Sequence, residues 1–425
     1  MLDIKFIRDN QELIDQAAAK KRITFTVKEL IAVDDERRTM LRSIEQKRAI
    51  QNEHSQKIAQ AASGEERVRF ISDMQQVKTD LNKEEEKLKE VMKTWQHLML
   101  AVPNIPDMTV PEGKSDAENV EVRKWGTIPT FDFEPKNHAD LMTALDMVDF
   151  ERGSKVAGFR GYFLKNDAVL LTMALWQVTL NHFVKKGFTP MFVPSLVRRD
   201  TLVGTGYLPA GEEDLYKTQD ADYLAGTGEV ATMGYYMDEV IDKAKLPIKI
   251  IAFSPCFRRE AGSHGKDTKG LIRVHEFFKW EQVVLCEANH ETSVALHEEI
   301  TANAEEVMQL LNIPYHVVAN CGGDLGQGQV KKYDIEAWVP SEGKYRETHS
   351  ASYFHDFQTR RTNTRYKDTD GTLKYAHSLN STALPTPRPL AALVENNQQK
   401  DGSVTVPEAL RPYVGKDKIW LADQA

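Results

Sequence analysis

Apolar positions in the first hundred residues recur at steps of three and four. Met74, Val77, Leu81, Glu84, Leu88, Val91, Trp95 and Leu98 follow this rhythm, and only Glu84 is polar. That is the heptad spacing of a coiled-coil seam. Upstream, Leu30, Val33, Arg37, Met40, Ile44, Lys47, Gln51, His54 and Ile58 keep the spacing with more polar members. Neither Gly nor Pro occurs in residues 27–62 or 65–102; Ser63-Gly64 separates the runs, and Pro103, Pro106 and Pro111 end the second. The pattern predicts two long helices joined by a tight turn, an antiparallel coiled-coil hairpin of roughly 50 Å at ~1.5 Å per residue. Before it, Leu2, Ile4, Phe6, Ile7, Leu13, Ile14 and Ala17 predict a small packed segment ending at the basic Lys20-Lys21-Arg22.

Beyond the prolines the rhythm changes. Residues 167–186 and 290–311 have helix-length amphipathic patterns, whereas KGFTPMFVPSLV, KIIAFSPCFRRE, GLIRVHEFFKWEQVVLCE and YDIEAWVP read as strands. Strands that follow one another without regular βαβ alternation predict an α+β domain on a mixed, mainly antiparallel sheet flanked by helices. The expected division is a helical domain over 1–110, with its arm at about 27–102, and a second domain over 111–425.

Composition narrows the classes. No apolar run reaches eighteen residues, so no membrane span is expected. The charged start MLDIKFIRDNQE is not read as a secretory signal. Cys256, Cys286 and Cys321 are widely spaced, which disfavours a disulfide framework or a zinc site and suits a reducing, cytoplasmic setting. A net charge of −8 opposes nucleic-acid binding unless cations are locally concentrated. Arg37, Arg38, Arg42, Lys47 and Arg48 form such a concentration, beside Asp34, Asp35 and Glu36. Mixed charge of this kind is ordinarily a solvated face, although the cations would suit phosphate contacts.

The candidate chemistry lies in residues 257–281, FRREAGSHGKDTKGLIRVHEFFKWE. Arg258 and Arg259 leave one strand, Glu260 follows, a loop with Gly262, Gly265 and Gly270 comes next, and a second strand returns through Ile272, Val274, Phe277 and Trp280. Arginine offers a planar fork to phosphate oxygens. An aromatic such as Phe277 can stack on a base. The same composition also suits an ordinary charged hairpin.

This stretch resembles motif 2 of class II aminoacyl-tRNA synthetases, in the form found in bacterial-type seryl-tRNA synthetases. Residues 186–209, KGFTPMFVPSLVRRDTLVGTGYLP, resemble motif 1 with its proline at Pro194; RPLAALVEN, within a motif 3 region at about 380–396, carries the motif 3 arginine at Arg388. ETHSASYFHDFQTRR is similar to the family's metal-binding segment. The resemblance covers nearly the whole chain, and what it implies follows from those positions. Thr227, Gly228 and Glu229 would hold the ammonium of L-serine, with Glu281 and Thr382 on its hydroxyl. Arg258 would bridge the serine carboxylate and the ATP α-phosphate. Glu260, Val274, Phe277 and Arg388 would hold the adenine. Arg259, Thr348 and His349 would join the ATP site, and Glu347 and Ser350 would carry Mg²⁺ on the phosphates. Arg258 and Arg388 would be the catalytic residues, neutralising charge during in-line attack. Motif 1 implies a homodimer. The arm, with its five cations, implies serine tRNA as partner through shape and backbone recognition, and selenocysteine tRNA as a further acceptor.

Several positions depart from the family text. Ser381 and Ala383 stand where glycines are usual, Pro387 precedes Arg388, Thr382 replaces a serine, and Gly228 takes the place of Ala or Ser. Proline fixes φ and removes a donor, so a rearranged strand before Arg388 is expected. The alternative to serine–tRNA ligation is a paralogue with another acceptor or a role in antibiotic biosynthesis or resistance.

Overall fold

The computed structural model describes residues 1–61, 63–262, 265 and 267–420. It separates into two compact units, Met1–Pro103 and Asn104–Ala425.

The first unit is helical: α1 (Ile4–Asp9), α2 (Gln11–Lys20), α3 (Val27–Gln60) and α4 (Gly64–Ala101). α3 and α4 form the expected hairpin. Every seam position named above is buried or half-buried, while most positions between them are exposed. Ser63 caps α4 by accepting from the Glu66 amide at 3.2 Å, which satisfies one orphan donor of the first turn. The polar seam member Glu84 is matched across the hairpin by Ser43 Oγ (2.9 Å) and Lys47 Nζ (2.5 Å). At the base of the hairpin Asp34, only 1% exposed, accepts from Arg8 (2.8 Å), Arg37 (2.7 Å) and Trp95 Nε1 (3.0 Å). The Arg37 guanidinium lies 4.6 Å from the Trp95 ring centroid. Removing the carboxylate leaves the half-buried Arg37 guanidinium without its anion, the Trp95 indole N–H without its acceptor and Arg8 with Asp35 alone, so Asp34→Ala is expected to cost this unit about 2 kcal/mol. The measurement is amide hydrogen exchange of α3, whose protection should fall roughly thirtyfold.

The second unit is built on eight strands: β1 (Val120–Trp125), β2 (Thr189–Phe192), β3 (Ile248–Phe257), β4 (Glu276–Cys286), β5 (Tyr315–Ala319), β6 (Lys331–Val339), β7 (Lys344–His355) and β8 (His377–Thr386). Their order in the sheet is β1-β5-β6-β7-β8-β4-β3-β2. All neighbours are antiparallel except β2 and β3. The helices that matter for the site are α5 (His138–Ala144), α6 (Asp167–Lys185), α7 (Arg199–Thr205), α8 (Gly228–Tyr235), α9 (His290–Leu310), α10 (Phe357–Thr362) and α11 (Arg388–Asn396). The core joins α6, α9 and α11 to the sheet through Leu171, Leu175, Ile300, Val307, Leu390 and Val394. Among the described residues no helix is long and apolar enough to cross a membrane.

One expectation changes in detail. The strand expected from Gly270 onward begins only at Glu276, because residues 271–275 turn beneath the loop. The Leu271 amide donates to His138 Nε2 at 2.9 Å, and His138 Nδ1–H donates to Glu395 at 2.8 Å. Gly270 has φ +81°, and a Cβ there would lie 2.3 Å from His138 Nε2, so only glycine fits. The strand before Arg388 is continuous, and the Thr386–Pro387 peptide at its end is cis. β8 runs through Thr386, and Pro387 sits one residue beyond it as the N-cap position of α11, where no ladder donor is required.

Candidate active site

The antiparallel pair β3/β4 and the neighbouring strands β7 and β8 form the floor of a cavity of about 240 Å³. Alternation on β4 points Phe277, Lys279 and Glu281 into it. On β8 the parity changes, since Asn380 and Thr382 line the cavity but so does Pro385, followed by Pro387 just beyond the strand. The cause is a bulge. Trp280 opposes Leu384 while Glu281 opposes Thr382, so Ala383 is the extra residue. β7 repeats the device. Ile335 opposes His349 and Glu336 opposes Glu347, which leaves Thr348 extra and lets Glu347, Thr348 and Ser350 all reach the cavity. His349 turns inward instead. Its Nε2–H donates to the Ala383 carbonyl at 3.2 Å, joining one bulge to the other, and burial lowers its pKa to about 3, so it stays neutral.

Arg258, Glu260, Val274, Phe277, Glu347 and Arg388 all line the cavity. Arg258 Nε donates to Gly226 O (3.3 Å), and its guanidinium lies 5.5 Å from the Phe277 centroid. Arg388 donates to the carbonyls of Ile272 (2.9 Å) and Glu347 (3.0 Å), which holds it against the motif 2 turn. Glu260, at φ +54°, pairs with Arg273 at 2.5 Å. Asp267 bridges Arg273 (3.4 Å) and Arg346 (2.5 Å). Ser263, His264 and Lys266 of the same loop lie outside the described residues.

A second group in the lining is Thr227, Glu229, Glu281 and Thr382, of which Glu281 opposes Thr382 across β4 and β8. Thr227 caps α8. Glu229 is buried, and accepts from Tyr207 Oη (2.9 Å) and Gln358 Nε2 (2.6 Å); Ser378 in turn donates to Gln358 Oε1 (2.7 Å). Burial pushes the Glu229 carboxyl above the usual carboxylate range, and Glu281 adds to this, while Gln358, Tyr207 and Lys279 work against it. A cation brought beside Glu229 would favour its charged form.

Three candidate residues do not line the cavity. His349 is one. Gly228 is buried at the start of α8, where an added Cβ would meet Ser254 Oγ at 3.3 Å and Glu281 Cβ at 3.6 Å. Arg259 points to the turn Glu212–Asp214 between α7 and α8, where it donates to Glu213 O at 3.2 Å.

Oxygen donors suit a hard cation such as Mg²⁺. Glu347 is half exposed, beside Ser350 in the cavity wall. Burial opposes its charge, but Arg388, Lys332 and Arg258 hold it below the usual carboxylate range. Asp334 opposes Ser350 on β6, and its Oδ1 is buried without a hydrogen-bond partner. Burial raises its pKa well above the usual carboxylate range, despite Lys332 at 3.2 Å. Among the described residues no group of three or more His, Cys, Asp or Glu side chains could hold a metal alone. The donors therefore fit an ion shared between one or two side chains and a ligand's phosphates.

Residues 1–106 match the family model of the seryl-tRNA synthetase N-terminal domain, and residues 216–397 match that of the class II tRNA synthetase core domain (G, H, P, S and T). The chain is 45% identical to the serine–tRNA ligase of Deinococcus radiodurans, with 99% of each chain covered. The chain belongs to the seryl-tRNA synthetase family. It is likewise 45% identical to the serine–tRNA ligase of Thermodesulfovibrio yellowstonii, over 99% of this chain and 100% of that one. The seryl-tRNA synthetase of Pyrococcus horikoshii complexed with ATP superposes with a TM-score of 0.90 at 38% identity, over 99% of this chain and 100% of that one.

Sequence reasoning had named neither Tyr207, Lys279 and Arg273 nor residues 326–329 and Phe354, all of which line the cavity of this seryl-tRNA synthetase family member. Lys279 and Arg273 lie inside the motif 2 string, and strand alternation from Glu281 would have found Lys279. Tyr207 closes motif 1, but only the tertiary fold brings it to Glu229. The short loop over 326–329 has no local signature. Asn104 holds it through hydrogen bonds to Gly328 O (2.9 Å) and Phe354 O (2.8 Å).

Proposed function

We propose that the chain is a serine–tRNA ligase, which activates L-serine with ATP and passes the seryl group to the 3′ end of serine tRNA. The observation that carries this reading is the polarity of the cavity. Arg258, Arg388 and the aromatic Phe277 line it, and so do the buried carboxylates Glu229 and Glu281 with Thr227 and Thr382. The first group suits a nucleotide's phosphates and base, and the second an ammonium and a hydroxyl.

In this reading Glu229 takes the serine ammonium, and Arg258 draws the serine carboxylate toward the α-phosphorus. A carboxylate oxygen attacks, the bond to the bridging oxygen breaks, and pyrophosphate leaves with that electron pair. A terminal ribose hydroxyl of the tRNA then attacks the seryl carbonyl, and AMP leaves. Neither step needs a protein base poised near neutrality, so catalysis is positioning and charge neutralisation. Mg²⁺, held by Glu347 and Ser350 on the phosphates, would supply further positive charge when bound. Glu281 and Thr382, directly opposed across β4 and β8, read the hydroxyl. Alanine would leave those polar groups unpaired and is rejected on that ground.

The same reading makes the protein a cytoplasmic homodimer. Its support is an apolar surface over motif 1 and the preceding helix. Phe192 is 83% exposed, and Val169, Leu170 and Met173 of α6 are also exposed. Monomers seldom leave such a patch uncovered. Phe192→Asp is expected to shift the protein to monomer in sedimentation velocity; an unchanged dimer would place the interface elsewhere.

The function is tested by ATP–pyrophosphate exchange with serine, threonine and alanine in competition, followed by charging of serine tRNA. Serine-dependent exchange and charging are expected. Folded protein without serine-dependent exchange would sink the reading, and exchange without tRNA charging would point to another acceptor.

A further inference from the structure

Lys279 is a buried cation on the floor of the cavity, and the reading above gives it no role. It faces the cavity between Phe277 and Glu281 and is 5% exposed. Its Nζ donates to Thr227 Oγ1 at 2.9 Å and forms an ion pair with Glu281. Thr227 is the cap of α8, and its Oγ1 also accepts from the Glu229 amide at 3.4 Å. One ammonium thus ties the β4 carboxylate to the segment that carries the second buried carboxylate.

The charges make this junction more than a structural tie. Glu281 opposes the ionisation of Glu229, and Lys279 counters that influence. Two carboxylates and one ammonium sum to −1, which one substrate ammonium balances. Without Lys279 the same space would hold two uncompensated carboxylates, and one would have to take up a proton or move. The bond to Thr227 adds a geometric constraint, since it fixes the start of α8 against β4.

We infer that Lys279 is a positioning residue for the amino acid: it sets the spacing and the net charge of the Thr227–Glu229 and Glu281 segments, and acts on serine through them. This rests on the proposed serine site.

The test is exchange kinetics of the full-length protein, titrating serine and ATP separately, for Lys279→Met, Lys279→Gln, Lys279→Arg, Glu281→Gln and the double variant Lys279→Met/Glu281→Gln. The expected result is a serine KM raised at least about tenfold in Lys279→Met and Lys279→Gln, or ~1.4 kcal/mol. The ATP KM should stay within about twofold of wild type, and Lys279→Arg should recover part of the loss. Because Lys279 acts in part through Glu281, the double variant should be less impaired than the product of the two single effects. The inference is overturned if the serine and ATP KM values rise together, if the single effects multiply, or if Lys279→Met matches wild type. Wild-type protein without serine-dependent exchange would remove the serine site itself, and this inference with it.

Discussion

Replacing Arg258 with alanine is expected to lower ATP–pyrophosphate exchange by about two to three orders of magnitude, or ~3–4 kcal/mol of barrier, the typical cost of losing one preorganised donor to a transition state. The residue is held from its backbone outward. Its backbone amide donates to His275 O at 2.9 Å, and His275 Nδ1–H donates back to Arg258 O at 2.9 Å. The two ends of the motif 2 loop therefore fix its Cα. Its Nε is engaged by Gly226 O, and Phe277 lies beneath the guanidinium. Arg258 lines the cavity, and Gly226 directly precedes Thr227 of the Glu229 segment. A group placed there reaches both the carboxylate that attacks and the phosphorus it attacks. Arg258→Lys keeps the charge but loses the fork and the bond to Gly226, so it should recover only part of the rate. Exchange that is unchanged in Arg258→Ala at saturating substrates would remove Arg258 from the reaction.

The arm was legible because one physical rule governs it. A hairpin of two helices buries a single stripe, and the 3–4 spacing states that stripe residue by residue, polar members such as Glu84 included. The site was legible only where motif strings carry it. Arg258, Glu260, Val274, Phe277, Glu281 and Arg388 lie in or beside such strings, and all line one cavity. What alternation alone cannot show is a bulge. With strict alternation Glu347 would share a face with His349, and Thr382 would share one with Leu384; the extra residues Thr348 and Ala383 break both patterns. Contacts made only by folding were also invisible. Tyr207 and Gln358 meet Glu229 from α7's end and α10, and His138 links motif 2 to Glu395 on α11.

Cutting the arm short should separate the two halves of the reaction. Every residue lining the cavity lies between Thr205 and Arg388, within the second unit. Deleting residues 41–88 and joining the helices through a short Gly-Ser turn keeps the Arg8–Asp34–Arg37–Trp95 cluster at the base. Serine-dependent exchange should remain within about twofold of wild type, while charging of serine tRNA should fall by about a hundredfold or more, a loss of ~2.7 kcal/mol. The cations divide in a way that sharpens the test. Arg37 is committed to Asp34, Lys47 to Glu84 and Arg48 to Glu85 at 2.7 Å. Arg38 and Arg42 are exposed, one helical turn apart on α3. Charge reversal at Arg38 and Arg42 should therefore weaken charging most at low salt and flatten its salt dependence, with exchange untouched, because fewer counterions would be released from the tRNA backbone. Charging that survives the deletion would leave the deleted part of the arm without a role in tRNA recognition.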